Sequence, residues 1–181
     1  MIAYRRDQAV LLVIDLQEKL VPHIHGIETV VANTRRLIRA ARLLGLPILL
    51  TEQYPEGIGP TTADLAPDLE GCPAIAKRTF SCWREPAFRE RLAGLGRTQA
   101  ILAGIETHVC VFQTGADLRR AGYQVQVVSD AVSSRTEANK AVGLNRLAAA
   151  GADISSVESC LFELLETSAC PEFKSILAIV K

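Results

Sequence analysis

The sequence predicts an α/β fold: a three-layer α/β/α sandwich built on a mainly parallel sheet of about six strands. Three observations predict it. Short apolar runs recur along the 181 residues. Several of them are nearly continuous rather than alternating, as strands covered on both faces are. Helical patterns stand between them, which gives βαβ units with right-handed crossovers.

Taken in order, Ala9–Ile14 is the first strand, ending at Asp15. Glu28–Leu44 is the clearest helix: Val30, Val31, Thr34, Leu37, Ile38, Ala41 and Leu44 form one stripe, and Arg35, Arg36, Arg39 and Arg42 fall largely opposite as a solvated face. Gly45 is a C-terminal stop, and the strand Pro47–Leu50 follows. Glu52–Gly71, rich in Pro and Gly, is the one long irregular segment, the kind that serves as a binding lid or an oligomer contact. Then come a strand at Ala74–Ala76, a helix at Pro86–Leu95, a strand at Ala100–Ala103 and a helix at Thr107–Ala121 stopped by Gly122. A strand at Val125–Val128, a helix at Thr136–Ala150 stopped by Gly151 and a strand at Ile154–Val157 complete the pattern. No repeat or composition shift divides the chain, so residues 1–181 are read as one domain.

Lys plus Arg and Asp plus Glu balance at 20 each, without a block of like charge. Nucleic acid and anionic membranes are therefore not expected partners. The apolar runs are too short to span a bilayer. The opening Met-Ile-Ala-Tyr-Arg-Arg-Asp lacks the apolar segment and small-residue cleavage site of a leader, so the expected location is cytoplasmic. Five cysteines (72, 82, 110, 160 and 170) at irregular spacing argue against a disulfide framework and for reduced thiols.

Ligands of open parallel sheets bind beyond the carboxyl ends of the strands. Asp15, Lys77, Cys110, Asp130 and Glu158 sit at or just after such ends. Cys110 falls in the first turn of its expected helix, where free N–H groups and partial positive charge favour a thiolate and can hold an oxyanion. Asp15 is placed to take the thiol proton and return it to a leaving group, and Lys77 to support the thiolate. The thiol pKa is expected to be depressed, with Asp15 opposing Lys77 and the helix start. On spacing alone, a cysteine is more often a small buried hydrophobe, an aspartate after a strand a turn residue, and a strand-end lysine a solvated charge. Asp130 and Glu158 are read that way, as carboxylates that satisfy loop or helix-start N–H groups. His23-x-His25 has no companion ligands, so no metal is expected. No glycine-rich phosphate loop is present, so no nucleotide cofactor is expected.

Three ordered motifs, Leu-Val-Ile-Asp15-Leu-Gln17, Ala-Lys77-Arg-Thr-Phe80-Ser81 and Gly104-Ile-Glu106-Thr-His-Val-Cys110-Val, resemble those of the isochorismatase-like, or cysteine hydrolase, superfamily. Thr51–Thr61, Asp130–Arg135 and Pro171–Lys174 are similar to its isochorismatase domain-containing subgroup. The resemblance implies an Asp15–Lys77–Cys110 triad and a cis peptide before Glu106. It also implies an oxyanion hole made by the N–H groups of Glu106 and Cys110, and a homo-oligomer, dimer or larger. Nicotinamidases of the superfamily carry an Asp-x-His metal cluster where this chain has Glu52-Gln-Tyr-Pro-Glu-Gly, and isochorismatases proper cleave a vinyl ether without needing the cysteine. The expected reaction is therefore hydrolysis of a small amide-like or other C–N substrate without a cofactor. Gln17, Tyr54, Phe80 and Trp83 are candidate pocket walls; the three aromatics are equally read as core or interface residues. Two other classes stay open. In a scaffold homologue of the fold Cys110 would react with iodoacetamide no faster than an ordinary thiol at neutral pH, and a redox-reactive thiol would need a resolving cysteine nearby.

Overall fold

The computed structural model describes residues 3–181. Met1 and Ile2, the first residues of the segment read as lacking a leader, lie outside the described residues. Six strands form one all-parallel sheet: β1 (Ala9–Ile14), β2 (Ile48–Gln53), β3 (Ile75–Lys77), β4 (Gln99–Ile105), β5 (Gln124–Ser133) and β6 (Asp153–Ser155), in the spatial order β3-β2-β1-β4-β5-β6. The helices are α1 (Ile27–Leu44), α2 (Pro55–Ile58), α3 (Pro86–Gly94), α4 (Phe112–Arg120), α5 (Glu137–Ala149), α6 (Val157–Leu165) and α7 (Phe173–Val180).

Alternation along β1 explains the three layers. Ala9, Leu11 and Val13 pack with Val30, Leu37 and Ile38 of α1, Leu161 of α6 and Ile176 of α7. Val10, Leu12 and Ile14 pack on the other face with Phe88 and Leu92 of α3, Leu118 of α4 and Leu147 of α5. All six β1 residues are buried, which is why the strand reads as an unbroken apolar run.

The sequence reading names no helix at Pro55–Ile58 or Phe173–Val180, where α2 and α7 form, and three of its strands end elsewhere. β2 runs three residues beyond Leu50, because Thr51–Gln53 still pair with Ile75–Lys77 of β3. β5 runs on to Ser133 with a bulge: Leu102 pairs with Val127 but Gly104 with Val132. β6 stops at Ser155, and Val157, expected as strand, opens α6, with the Ser156 hydroxyl accepting the Ser159 N–H.

The register places the site. Ile14 is opposite Thr51 of β2 on one side and Gly104 of β4 on the other, and Gln53 is opposite Lys77. Asp15 therefore emerges at the centre of the carboxyl rim. Gly104 makes this possible: at its φ of +120° an added Cβ would stand 2.0 Å from the Ile14 carbonyl oxygen, against the residue that carries Asp15.

Candidate active site

Asp15 and Lys77 meet. Both side chains are almost wholly buried, and Nζ lies 2.6 Å from Oδ2. The other carboxylate oxygen accepts the Thr51 hydroxyl at 2.8 Å. Asp15 holds a left-handed backbone conformation (φ 53°), its N–H donating to the Thr51 carbonyl and its own carbonyl accepting from Gln17 N–H. Lys77 also donates to Gln53 Oε1 at 2.6 Å, with the Thr79 and Phe80 carbonyls at 3.3 Å. Burial disfavours the ammonium most strongly, but its charged surroundings, Asp15 first, outweigh it and raise the Lys77 pKa.

Cys110 belongs to a π-helical turn, Thr107–Val111, that leads into α4 rather than to the first turn of one continuous α-helix. π-turns are rare and recur at functional sites. α5 fixes this turn from outside, since a Cβ on Gly143 would meet the backbone of Thr107 and His108 at 2.7 Å. The peptide between Ile105 and Glu106 is cis, as the resemblance implied.

The expected depression of the Cys110 pKa is not found. Burial raises it, the Asp15 charge and a thiol hydrogen bond toward Asp15 raise it further, and Lys77 lowers it without compensating. The sequence argument weighted the helix start and Lys77 and left out burial, which for a residue only 7% exposed is the largest influence. The resting site is thus a neutral thiol beside a buried carboxylate–ammonium pair.

The other expected residues fall in different places. Gln17 is fully buried, and its amide is spent on the loop after β2: it donates to the Gln53 and Gly59 carbonyls and accepts the Gln53 N–H. Tyr54 stacks under the Arg78 guanidinium at 3.7 Å, and the Phe80 side chain is exposed. Trp83 packs edge-on against Tyr123, which immediately precedes β5, the far end of that strand from the carboxyl rim. The segment Glu52–Gly71 is fastened rather than free. Besides Gln17, the Glu52 carboxylate accepts both the N–H and the hydroxyl of Thr61 at 2.7 Å. Asp130 accepts the Val157 N–H at the start of α6, the helix-start role read for it, and Glu158 is exposed in the first turn of that helix.

Sequence reasoning missed Thr51, Gln53 and Cys82. The first two follow from ending β2 too early, although the polar run Thr51-Glu-Gln53 after apolar residues is the signal of a strand reaching the rim. Cys82 is fully buried beside Thr51, and it lies within electrostatic reach of Cys110, Asp15 and Lys77. Its own thiol is pushed up to about 11, by burial first and Asp15 second.

Beside Glu106 opens a cavity of about 650 Å³ lined by Leu20, His23, Ile24, Glu106 and Arg135. One oxygen of Glu106 accepts both the Arg135 N–H (3.0 Å) and its Nε (3.2 Å). This orients the guanidinium and leaves its two Nη groups uncommitted to Glu106. Among the described residues no cluster of three or more His, Cys, Asp or Glu side chains offers a metal site, and no helix is long and apolar enough to cross a membrane.

The isochorismatase domain model matches residues 9–159. The chain is 40% identical to isochorismatase domain-containing protein 2A of Mus musculus over 97% of its own length and 84% of that protein's. Among solved structures it is similar to the MAR1 ribonuclease of Caenorhabditis elegans, at 37% identity and a TM-score of 0.93 over 99% of this chain and 92% of that one. It is also similar to YcaC from Pseudomonas aeruginosa, in a structure with hexane-2,5-diol and covalent acrylamide, at 26% identity and a TM-score of 0.91 over 98% of this chain and 91% of that one.

Proposed function

The chain belongs to the isochorismatase family, and from that premise we propose that it is a cysteine hydrolase of small amide-like substrates. The observation that carries this reading is the buried Asp15–Lys77 pair with the Cys110 thiol in electrostatic contact with both, at the carboxyl rim of one sheet. A carboxylate and an ammonium are expensive to bury. A lone cysteine needs no such partners for packing.

In the proposed reaction the substrate carbonyl enters by the cavity beside Glu106. Asp15 takes the proton of Cys110 as sulfur bonds to the carbonyl carbon. The oxyanion lies against the N–H groups of Glu106 and Cys110. The C–N bond then breaks, and the departing nitrogen receives the proton from Asp15. Water attacks the thioester, loses its proton to Asp15, and the acid leaves as that proton returns to sulfur. Lys77 stays charged throughout and keeps Asp15 ionised between transfers. A resting thiol suits this scheme, since the proton moves only when a carbonyl is in place. Covalent acrylamide on the Pseudomonas aeruginosa relative fits a fold that exposes a nucleophile to small electrophiles, since acrylamide is captured through its vinyl carbon.

The test is a panel of small amides, carbamoyl compounds and hydroxamates, with intact-mass detection of an acyl adduct. RNA is included because the Caenorhabditis elegans relative is described as a ribonuclease. The expected result is a transient adduct on Cys110 and no turnover in Cys110→Ser. RNA cleavage that survives Cys110→Ser, with no adduct from any amide, would overturn the reading.

A further inference from the structure

We propose that a second cavity, on the outer face of α4 and α5, is an anion site that takes a dianionic phosphoryl group. It holds about 270 Å³ and is lined by guanidiniums from three separate elements: Arg84 after β3, Arg120 at the end of α4 and Arg146 on α5. Asp117, buried at the cavity wall, fixes two of them. Its Oδ2 accepts Arg84 Nε at 2.9 Å and its Oδ1 accepts Arg120 Nη1 at 2.7 Å. The third is held differently, with the Arg146 guanidinium 3.8 Å over the Phe112 ring. Among the described residues no carboxylate pairs with Arg146.

Three cations therefore line one cavity with a single carboxylate, Asp117, among them, which leaves positive charge in excess there. On α1, Arg35 and Arg39 likewise share one carboxylate, Asp68, but the third guanidinium there, Arg42, is spent on the Asp68 and Glu70 carbonyls. Arg84, Arg120 and Arg146 are held by a buried acid and an aromatic face and line one cavity together. Arg84 keeps both Nη groups uncommitted to Asp117, and Arg120 keeps Nε and Nη2. Planar forks held in this way match the oxygens of a phosphoryl group, which accept several charge-assisted hydrogen bonds at once. His108 shares the same wall, its Nδ1 anchored 2.9 Å from the Ser134 hydroxyl. The inference is independent of the chemistry read for Cys110.

The same phosphoryl chemistry arrives as free inorganic phosphate or as a phosphate monoester. Both are titrated into the full chain at constant ionic strength, with sodium chloride as compensating salt, and followed by the side-chain resonances of Arg120, Arg146 and His108. We expect saturable one-to-one binding that moves all three together. Arg146→Ala is expected to weaken it at least about tenfold, the value of one charged hydrogen bond. Arg39→Ala, which removes the same charge from α1, is expected to leave it unchanged. Tighter binding of a nucleoside monophosphate than of inorganic phosphate identifies a monoester as the ligand, and the reverse order identifies free phosphate. Linear, non-saturating shifts, or equal effects of Arg146→Ala and Arg39→Ala, would overturn the proposal.

Discussion

Lys77 Nζ and Asp15 Oδ2 are 2.6 Å apart at the carboxyl rim of the sheet, with 1% and 0% of their side chains exposed. Neither charge has water to fall back on, so each depends on the other. Lys77→Met is expected to destabilise the fold by about 3–5 kcal/mol, the cost of stranding a buried charge. Asp15→Asn in the same chain is expected to recover part of that loss. Urea titrations of the two single variants and the double variant measure it; additive losses would show that the two residues are not coupled.

The raised Lys77 pKa also sets an alkaline limit. A group held above its unfolded value adds stability that is fully present below about pH 10.4 and is lost as pH rises through the folded value. The denaturation midpoint of the wild type is therefore expected to fall above pH 10 more steeply than that of Lys77→Met. Parallel profiles for the two would refute the linkage.

At neutral pH Cys110 is expected to react with iodoacetamide more slowly than a free thiol, because burial and Asp15 hold its proton, so the rate itself does not mark a scaffold and its response to substitution of Asp15 does. Asp15→Asn removes the opposing charge, so alkylation speeds up while turnover stops. Lys77→Ala acts in the opposite sense and moves the alkylation profile to higher pH. Peptide mapping separates Cys110 from the fully buried Cys82, which is expected to stay unmodified. Slower alkylation in Asp15→Asn would contradict the assigned proton.

Gly104→Ala sets a methyl group against the Ile14 carbonyl at a φ that side chains avoid. A loss on the order of 3 kcal/mol is expected. The displaced Ile14 carries Asp15 with it, so activity is expected to fall more than the folded fraction does. Chemical denaturation and specific activity of the folded protein separate the two effects, and a neutral substitution would show that β4 can back away from β1.

Gln17→Ala is expected to release the loop after β2, since three backbone bonds of Gln53 and Gly59 rest on that one amide. Gln53 in turn holds Lys77. Hydrogen exchange is expected to rise across residues 53–61 while the α1 core stays protected. Unchanged exchange there would mean that the Glu52–Thr61 contacts suffice.

What the sequence disclosed depends on how much of each signal is local. β1 is legible residue for residue because both its faces are buried, and α1 because one face is wet. β5 is underread because Ser129 and Asp130 interrupt its apolar run, yet the Asp130 side chain caps α6 and its carbonyl accepts the Asn33 amide. Those partners are distant in sequence and invisible in a window of ten residues. α6 is concealed by Val157, a strand former that serves as a first helical residue. At the site, strand-end positions reveal Asp15 and Lys77 as neighbours. Burial of Cys110, which sets the sign of its pKa shift, emerges only once α4, α5 and the sheet close around it.

The strand order β3-β2-β1-β4-β5-β6 also has a consequence in time. A chain leaving the ribosome presents β1, β2 and β3 first, and with them both members of the Asp15–Lys77 pair. The thiol is synthesised later, and the place it enters, beside β1, is filled by the next strand made. Chains are made at about 5–20 residues per second, so Asp15 and Lys77 leave the ribosome before Cys110 does. Gln99–Ile105 is the last stretch of sheet made before Cys110, so the docking of β4 beside β1 is the step that can bring the thiol to the pair.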